Sequence, residues 1–364
     1  MNYQSIRGRG LLVLLMVLGF ILGNDRLGSA QSNPFKQLQS AAKAEMSTTN
    51  GKLVVGMEWP ASLANPVLAE FKKDHPFISD LKYKRERRVE NMQRILMEVQ
   101  QGRRPDYDIL HISSESWNDY EKAGLFPKPP FDYKALAKSL PADWGEVDSR
   151  GIDPKGYFIA AAGLARGIAY NNQIVPANQA PKQWNDCLDA KWKGKFLLDP
   201  RNKLQALQHD PKTREFILKW IKGTVANGAV LNRGQTENLQ KVAGGEFPLF
   251  CGVNYHSAMP LIDKGAPLTF ILPDPVPLEF GTQIHVLKWS KTPATTQLLI
   301  LWMASKGQEV IEQKGYRGMP WSPKSRKFQM AKGKYIAICD ANCVNRSEQY
   351  EKEYADLLNL PGVR

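Results

Sequence analysis

The residues with the widest chemical scope lie in short polar segments where apolar runs end. Asp199-Pro-Arg-Asn-Lys203 follows a strand-like run that stops at Pro200, and it opens a helix. A helix start offers free N–H groups and a partial positive charge, which suit a carboxylate or phosphate. Arg201, beside Asn202 and Lys203, adds a guanidinium that can hold such a group bidentately. Asn254-Tyr255-His256 ends a second run: Tyr255 reads as a hydrogen-bond donor to a ligand or as a core-edge tyrosine, and His256 as a ligand contact or a local partner. Glu58-Trp59 follows a third run, with Trp59 either stacking on an organic ligand or capping the core, and Ser113-Ser114 follows a fourth. Arg85-Glu-Arg-Arg88 reads as a solvated strand end from which Arg87 or Arg88 can turn inward, while His111, Trp302 and Trp321 read as packing. All of this is binding chemistry. An exported enzyme is the alternative from another class, but no G-x-S-x-G elbow, H-E-x-x-H helix or P-loop is present to supply it.

The elements that would carry these residues alternate in type. Lys52–Met57 is short, β-branched and bounded by Gly51 and Pro60, as a buried strand should be. Leu63–Lys73 has helical spacing, Leu81–Arg87 alternates, Val89–Gln101 is amphipathic and closed by Gly102, and Tyr107–Ile112 predicts a third strand. Ser114 is placed to cap the helix that follows. Strands separated by helices imply a mainly parallel sheet flanked by helices, with ligand beyond the carboxyl ends of the strands. That rule selects Glu58-Trp59, Ser113-Ser114 and the loop near Arg87. A second unit begins near Tyr157, with a helix over Thr213–Val225, a shorter one over Leu239–Ala243 and a strand over Phe247–Val253. Leu272-Pro-Asp-Pro-Val-Pro277 reads as a crossover, Gly281–Lys288 resumes β character, and Pro293–Gln313 reads as one long amphipathic helical region.

Arg7 and Arg9, the apolar run Leu11–Gly23 and the small residues Gly28-Ser29-Ala30 form a signal-peptide pattern with cleavage near Ala30, implying a periplasmic protein. The apolar run falls short of the roughly 20 residues a spanning helix needs. Four cysteines in an exported chain allow two disulfides: Cys339 and Cys343 are close enough to staple a loop, which would leave Cys187 with Cys251. Four cysteines without CxxC pairs lack zinc spacing. The net charge of +13 is spread along the whole chain without a nucleic-acid motif, so no nucleic-acid partner is expected.

Several segments, taken in order, resemble the periplasmic ferric-iron-type solute-binding proteins of ABC importers, within the type II binding-protein class. Asp106-Tyr-Asp-Ile-Leu110 with Tyr120-Glu-Lys-Ala-Gly-Leu125 looks like the family's "PADV…LEKAGLL" segment. Gly163–Asn171 looks like its crossover strand, Ala190-Lys-Trp-Lys-Gly-Lys195 is similar to its "DPKWKGK" loop, and Gly245–Tyr255 matches the strand that delivers binding tyrosines. The likeness covers roughly Lys52 to Pro323. It implies a two-lobed α/β fold with an interlobe cleft, and a monomer without cofactor. It also implies an ABC permease with a cytoplasmic ATPase as partners; a sensing subunit on the same fold is not separated from transport by sequence. The lobe boundaries that follow are 1–30 signal peptide, 31–50 N-terminal extension, 51–160 with 278–320 lobe one, 161–277 lobe two, and 321–364 a C-terminal segment packing across the lobes.

The ferric members hold iron with adjacent tyrosines, a histidine and a carboxylate. Here the pair reads Tyr255-His256, the carboxylate position falls near Ser113 or Ser114, and the histidine position falls near Trp59, with Glu58 beside it. Arg166 matches a family arginine that can face a bound anion. The resemblance, with these departures, therefore implies a small anionic or polar organic solute bound by Glu58, Trp59, Ser113, Ser114, Arg166, Arg201, Asn202, Asn254, Tyr255 and His256. The alternative is iron or an iron–anion complex on Tyr255, His256 and Glu58.

Overall fold

The computed structural model describes residues 33–86, 89–112, 114–202, 204–280 and 283–360. The expected signal peptide, Arg87, Arg88, Ser113, Lys203, Gly281 and Thr282 lie outside the described residues, as do the side chains of residues 89, 90, 114, 115 and 341. No helix among the described residues is long and apolar enough to cross a membrane.

The expected N-terminal extension is a packed helix. α1 (Pro34–Thr48) starts where the Asn33 side chain accepts the Lys36 N–H, and it buries Phe35, Leu38, Ala42 and Met46 at helical spacing. β1 (Lys52–Met57), α2 (Ala61–Asp74), β2 (Asp80–Arg85), α3 (Val89–Gln100), β3 (Ile109–Leu110) and α4 (Ser114–Lys122) then build a parallel sheet in the order β2-β1-β3. β3 is shorter than Tyr107–Ile112 predicts. The Asp108 carboxylate accepts the Val54 N–H at 2.9 Å at its lower end, and His111 bridges antiparallel to Ile284 at its upper end.

After α5 (Tyr133–Lys138), the long strand β4 (Gly163–Asn171) enters the second sheet. There follow β5 (Phe196–Leu198), α6 (Gln205–His209), α7 (Arg214–Ala226), β6 (Val230–Leu231), α8 (Gln235–Ala243), β7 (Leu249–Asn254), α9 (Tyr255–Ile262), β8 (Leu268–Ile271) and β9 (Val276–Phe280). With β10 (Ile336–Cys339) the order is β10-β9-β4-β7-β5-β6, and β8 also pairs with β4. This sheet is mixed rather than mainly parallel, because β4 runs antiparallel to β7, β8 and β9. Gly167 permits that crowding: a Cβ there would lie 2.0 Å from the Ile271 carbonyl oxygen.

The expected single helical region is two helices, α10 (Pro293–Ala304) and α11 (Gln308–Gly315). α10 is buried on every side from Ala294 to Ala304, so its pattern has no polar face to define amphipathicity. The Glu45 carboxylate of α1 accepts the Ala294 and Thr295 N–H groups at 2.8 Å, closing the start of α10. Gly307 ends it by lying under the Trp302 ring, where a Cβ would meet ring carbon at 2.5 Å. α10 joins α1, α2 and β1 in one core, while Trp184, Phe196, Trp220 and Cys251 anchor another around the second sheet. The chain ends in α12 (Arg326–Ala331), β10, α13 (Ala341–Asn345) and α14 (Ser347–Leu357). Cys187 pairs with Cys251 and Cys339 with Cys343, both as expected.

Candidate ligand-binding cleft

Glu58 is the first residue beyond β1, and the buried neighbours Met57 and Trp59 hold the backbone on either side of it. Arg166 on β4 stands opposite Asn254, the last residue of β7, so these two polar side chains come from paired strand positions. The chain passes from Asn254 directly into α9, which places His256 on its first turn. Arg317 arrives on the loop after α11, where Tyr316 takes a left-handed conformation at φ +53° and the Arg317 carbonyl accepts the Gly163 N–H at 2.8 Å.

The polar atoms gathered there are incompletely satisfied. Arg166 is 9% exposed; its Nη1 donates to the Glu279 carboxylate of β9, and its Nε has no partner among the described residues. Asn254 Oδ1 and His256 Nδ1 are buried and equally unpartnered among the described residues. The Arg317 guanidinium is half-buried, and neither it nor the Glu58 carboxylate makes a hydrogen bond or ion pair among the described residues. Burial lowers the Arg317 pKa, and the charge of Glu58 opposes that shift. His256 is held well below its usual value, first by burial and then by the positive charges of Arg317, Lys327 and Arg166, so its imidazole is neutral. Beside His256 and Arg317 a groove of about 490 Å³ opens between Pro60 and Leu63 at the start of α2 and Pro260 of α9. Buried polar groups in folded proteins are nearly always paired, so these three atoms together with Arg317 define the candidate site.

A family comparison gives the context for this arrangement: residues 113–345 match the bacterial extracellular solute-binding proteins. The chain belongs to that family. Among solved structures, it is similar to iron-bound HitA from Pseudomonas aeruginosa, with 18% identity, a TM-score of 0.61, and 84% of this chain and 99% of the other covered. It is also similar to apo ferric ion-binding protein A from Pasteurella haemolytica, at 16% identity and a TM-score of 0.64, over 86% of this chain and all (100%) of the other. AfuA from Actinobacillus pleuropneumoniae with fructose-6-phosphate bound matches at 17% identity and a TM-score of 0.58, over 85% and 99% of the two chains. At these identities the likeness establishes the two-lobed α/β fold.

Within that solute-binding fold, several expected contacts are engaged elsewhere. Tyr255 is 1% exposed, donates its hydroxyl to Glu312 Oε1 at 2.8 Å, and has the Lys327 ammonium 4.1 Å from its ring centroid. Burial and the adjacent Glu312 carboxylate both raise the phenol pKa, so Tyr255 is a core hydrogen-bond donor rather than a ligand donor. Trp59 is 1% exposed, its ring packed in the core shared by α1, α2, β1 and α10, so no ring face is open for stacking. Arg201 spends its fork on Asp199, through Nε at 3.1 Å and Nη2 at 2.8 Å, with its side chain 57% exposed. The helix it was expected to open, α6, has only five residues and starts from a left-handed Leu204 without a side-chain cap. Asn202 donates its amide to the Gly252 carbonyl and ties the loop to β7. Ser113 and the Ser114 side chain lie outside the described residues. Arg317 and Glu279 carry no motif in the sequence; the one local signal for Arg317 is its setting in a glycine-flanked turn, Gly315-Tyr-Arg-Gly318.

Proposed function

We propose that this chain is the extracytoplasmic substrate-binding component of an ABC importer. It captures a small anionic or polar organic solute between its lobes and delivers it to a membrane permease driven by a cytoplasmic ATPase, acting as an exported monomer without turnover of its cargo. Lobe one would comprise 51–160 with 278–320 and lobe two 161–277, with 321–364 packing against both. The observation that carries the reading is the unpaired Arg317 beside the orphaned Arg166 Nε, Asn254 Oδ1 and His256 Nδ1. An acidic group on the solute would satisfy the two guanidinium groups, and neutral His256 and Asn254 would complete its hydrogen bonds.

Iron is the second reading, because four of the similar structures are described as iron-bound or as ferric-binding proteins. The donors here favour the organic acid. Tyr255 is committed to Glu312, and Lys327, Arg166 and Arg317 would repel a trivalent cation beside His256. AfuA, described with a bound sugar phosphate, offers a precedent of the favoured class on the same fold. The test is calorimetric titration with organic acids and sugar phosphates. Arg317→Ala is expected to weaken the tightest of these by tenfold or more, whereas a visible charge-transfer band on adding ferric citrate to metal-free protein would favour iron.

A further inference from the structure

The last stretch of chain touches elements of both sheets. β10 lies beside β9, with Ile336 opposite Val276 and Cys339 opposite Glu279, and β9 in turn pairs with β4 from Gly163 to Ala165. At Cys339 the strand ends. The Asp340 carboxylate accepts the Cys343 N–H at 3.0 Å to start α13, and the Cys339–Cys343 disulfide ties that turn back to β10. α13 has only five residues, too few to hold a helix unaided, so cap and disulfide fix the direction in which it projects.

It projects between helices that belong to different sheets. α4 follows β3 of the first sheet, α6 follows β5 of the second, and α13 packs against both. Trp117 of α4, Ala206 of α6 and Phe158 form one buried cluster with Cys343, Val344 and Tyr350. The two sides are attached differently. Toward the second sheet the hold is polar as well as apolar: the Tyr350 hydroxyl is hydrogen-bonded to His209 Nδ1 at 2.9 Å, and Arg214 Nη2 donates to Glu353 Oε1 at 2.6 Å. The entry to β10 is fixed too, where the Tyr335 N–H donates to Asp274 Oδ1 at 3.0 Å. Toward α4 the seam is apolar. Trp117 spends its indole N–H on His285 Nε2 at 3.1 Å, which leaves ring surface for the cluster.

We propose that residues 334–358 form a strap carried by the second-sheet lobe, and that its apolar seam on α4 sets how far the cleft opens. This rests on the two-lobed solute-binding reading above and adds the element that limits its hinge motion. An apolar seam parts without stranding polar groups, whereas pulling α14 from α6 and α7 breaks hydrogen bonds and an ion pair. When the lobes separate, α13 therefore stays with α6 and leaves Trp117. Exposing that seam to water disfavours the open form, which shifts the solute-free protein toward the binding-competent one.

Double electron–electron resonance on solute-free protein reads the opening, with one spin label at Met97→Cys in α3 and one at Lys222→Cys in α7. Both positions are exposed, and the native cysteines are paired in disulfides. The seam variants are Val344→Ala, Val344→Asp and Cys339→Ala with Cys343→Ala, each followed also by hydrogen exchange. The mean distance is expected to lengthen by more than about 2 Å in Val344→Asp and in the cysteine variant, and by less in Val344→Ala, the mildest change should the others misfold. Exchange should quicken in α13 while β10 and α14 stay protected. Unchanged distances in all three variants overturn the strap, as does release of α14 together with α13. No solute enters this measurement, so failure of the solute-binding reading shows elsewhere, as calorimetry in which no organic acid or sugar phosphate binds.

Discussion

The side chains with the strongest chemistry on paper divide into those already satisfied and those left waiting. Arg201 is in the first group, because its Nε and Nη2 serve Asp199, which also accepts from the Gly234 N–H and the Gln235 amide. Arg317 is in the second. Titration of an organic-acid ligand should therefore show Arg201→Ala within about threefold of wild type, while Arg317→Ala loses roughly tenfold or more, the worth of a charge-assisted hydrogen bond. Burial and three nearby cations keep His256 neutral, so protonation waits for pH values well below the usual imidazole range. Affinity for a carboxylate ligand should accordingly be flat between about pH 5.5 and 8; a tightening below about pH 6.5 would show that His256 gains a proton on binding. Residue types disclosed the candidates, but not which were spent. The Tyr255–Glu312 bond spans a separation of 57 residues, and nothing local to either announces it.

Elements were legible where one face meets water. α2, α3 and α7 follow their apolar spacing closely, while β1, buried on both faces, is legible from its short apolar run between Gly51 and Pro60. A helix buried on all sides is not legible in that way: α10 carries no polar stripe, and Gly307, which separates it from α11, lies against the Trp302 ring. α11 is joined to α9 and α12 by a buried cluster, in which Glu312 accepts from Tyr255, the Gly318 N–H, Ser325 and Lys327. Burial pushes the Glu312 pKa up, but the Lys327 charge and these donors outweigh it and hold the carboxyl below its ordinary value. Burial also depresses Lys327, to about 8, against the opposing pull of Glu312. Glu312→Gln leaves that lysine buried without its counter-charge, and urea unfolding should show a loss of about 3–5 kcal/mol. Adding Lys327→Met should restore much of it. A lowered carboxyl pKa contributes stability that is present above the unfolded value and is lost as pH falls through the folded one. The wild type should thus lose this contribution below about pH 4.5, where Lys327 stays protonated in both states, and Glu312→Gln should lack that part of the acid dependence.

The whole molecule was legible in outline, since the two-lobed fold and both disulfides follow from the strand–helix alternation, the family likeness and the cysteine count. The parts that escaped notice are those made by long-range packing. α1 belongs to the first-lobe core and caps α10 from 249 residues away, which its position ahead of the first strand did not suggest. The mixed second sheet arises because β4 serves three antiparallel partners at once. The two disulfides should matter unequally. Cys187–Cys251 closes a separation of 64 residues and Cys339–Cys343 one of 4. By loop-closure entropy, losing the first costs about 4 kcal/mol and losing the second about 2. Urea unfolding of the paired Cys→Ala variants checks this; equal losses would show that packing around Cys251, rather than loop closure, sets the cost.

The central claim, that two lobes close on an organic acid through Arg317, meets its most direct test in native mass spectrometry. Wild type and Arg317→Ala would be incubated with a pool of amino acids, organic acids and sugar phosphates, and in parallel with ferric citrate. A single organic adduct of one-to-one stoichiometry is expected on the wild type, much reduced in Arg317→Ala. An iron adduct with no organic partner, equally abundant in both proteins, would contradict it.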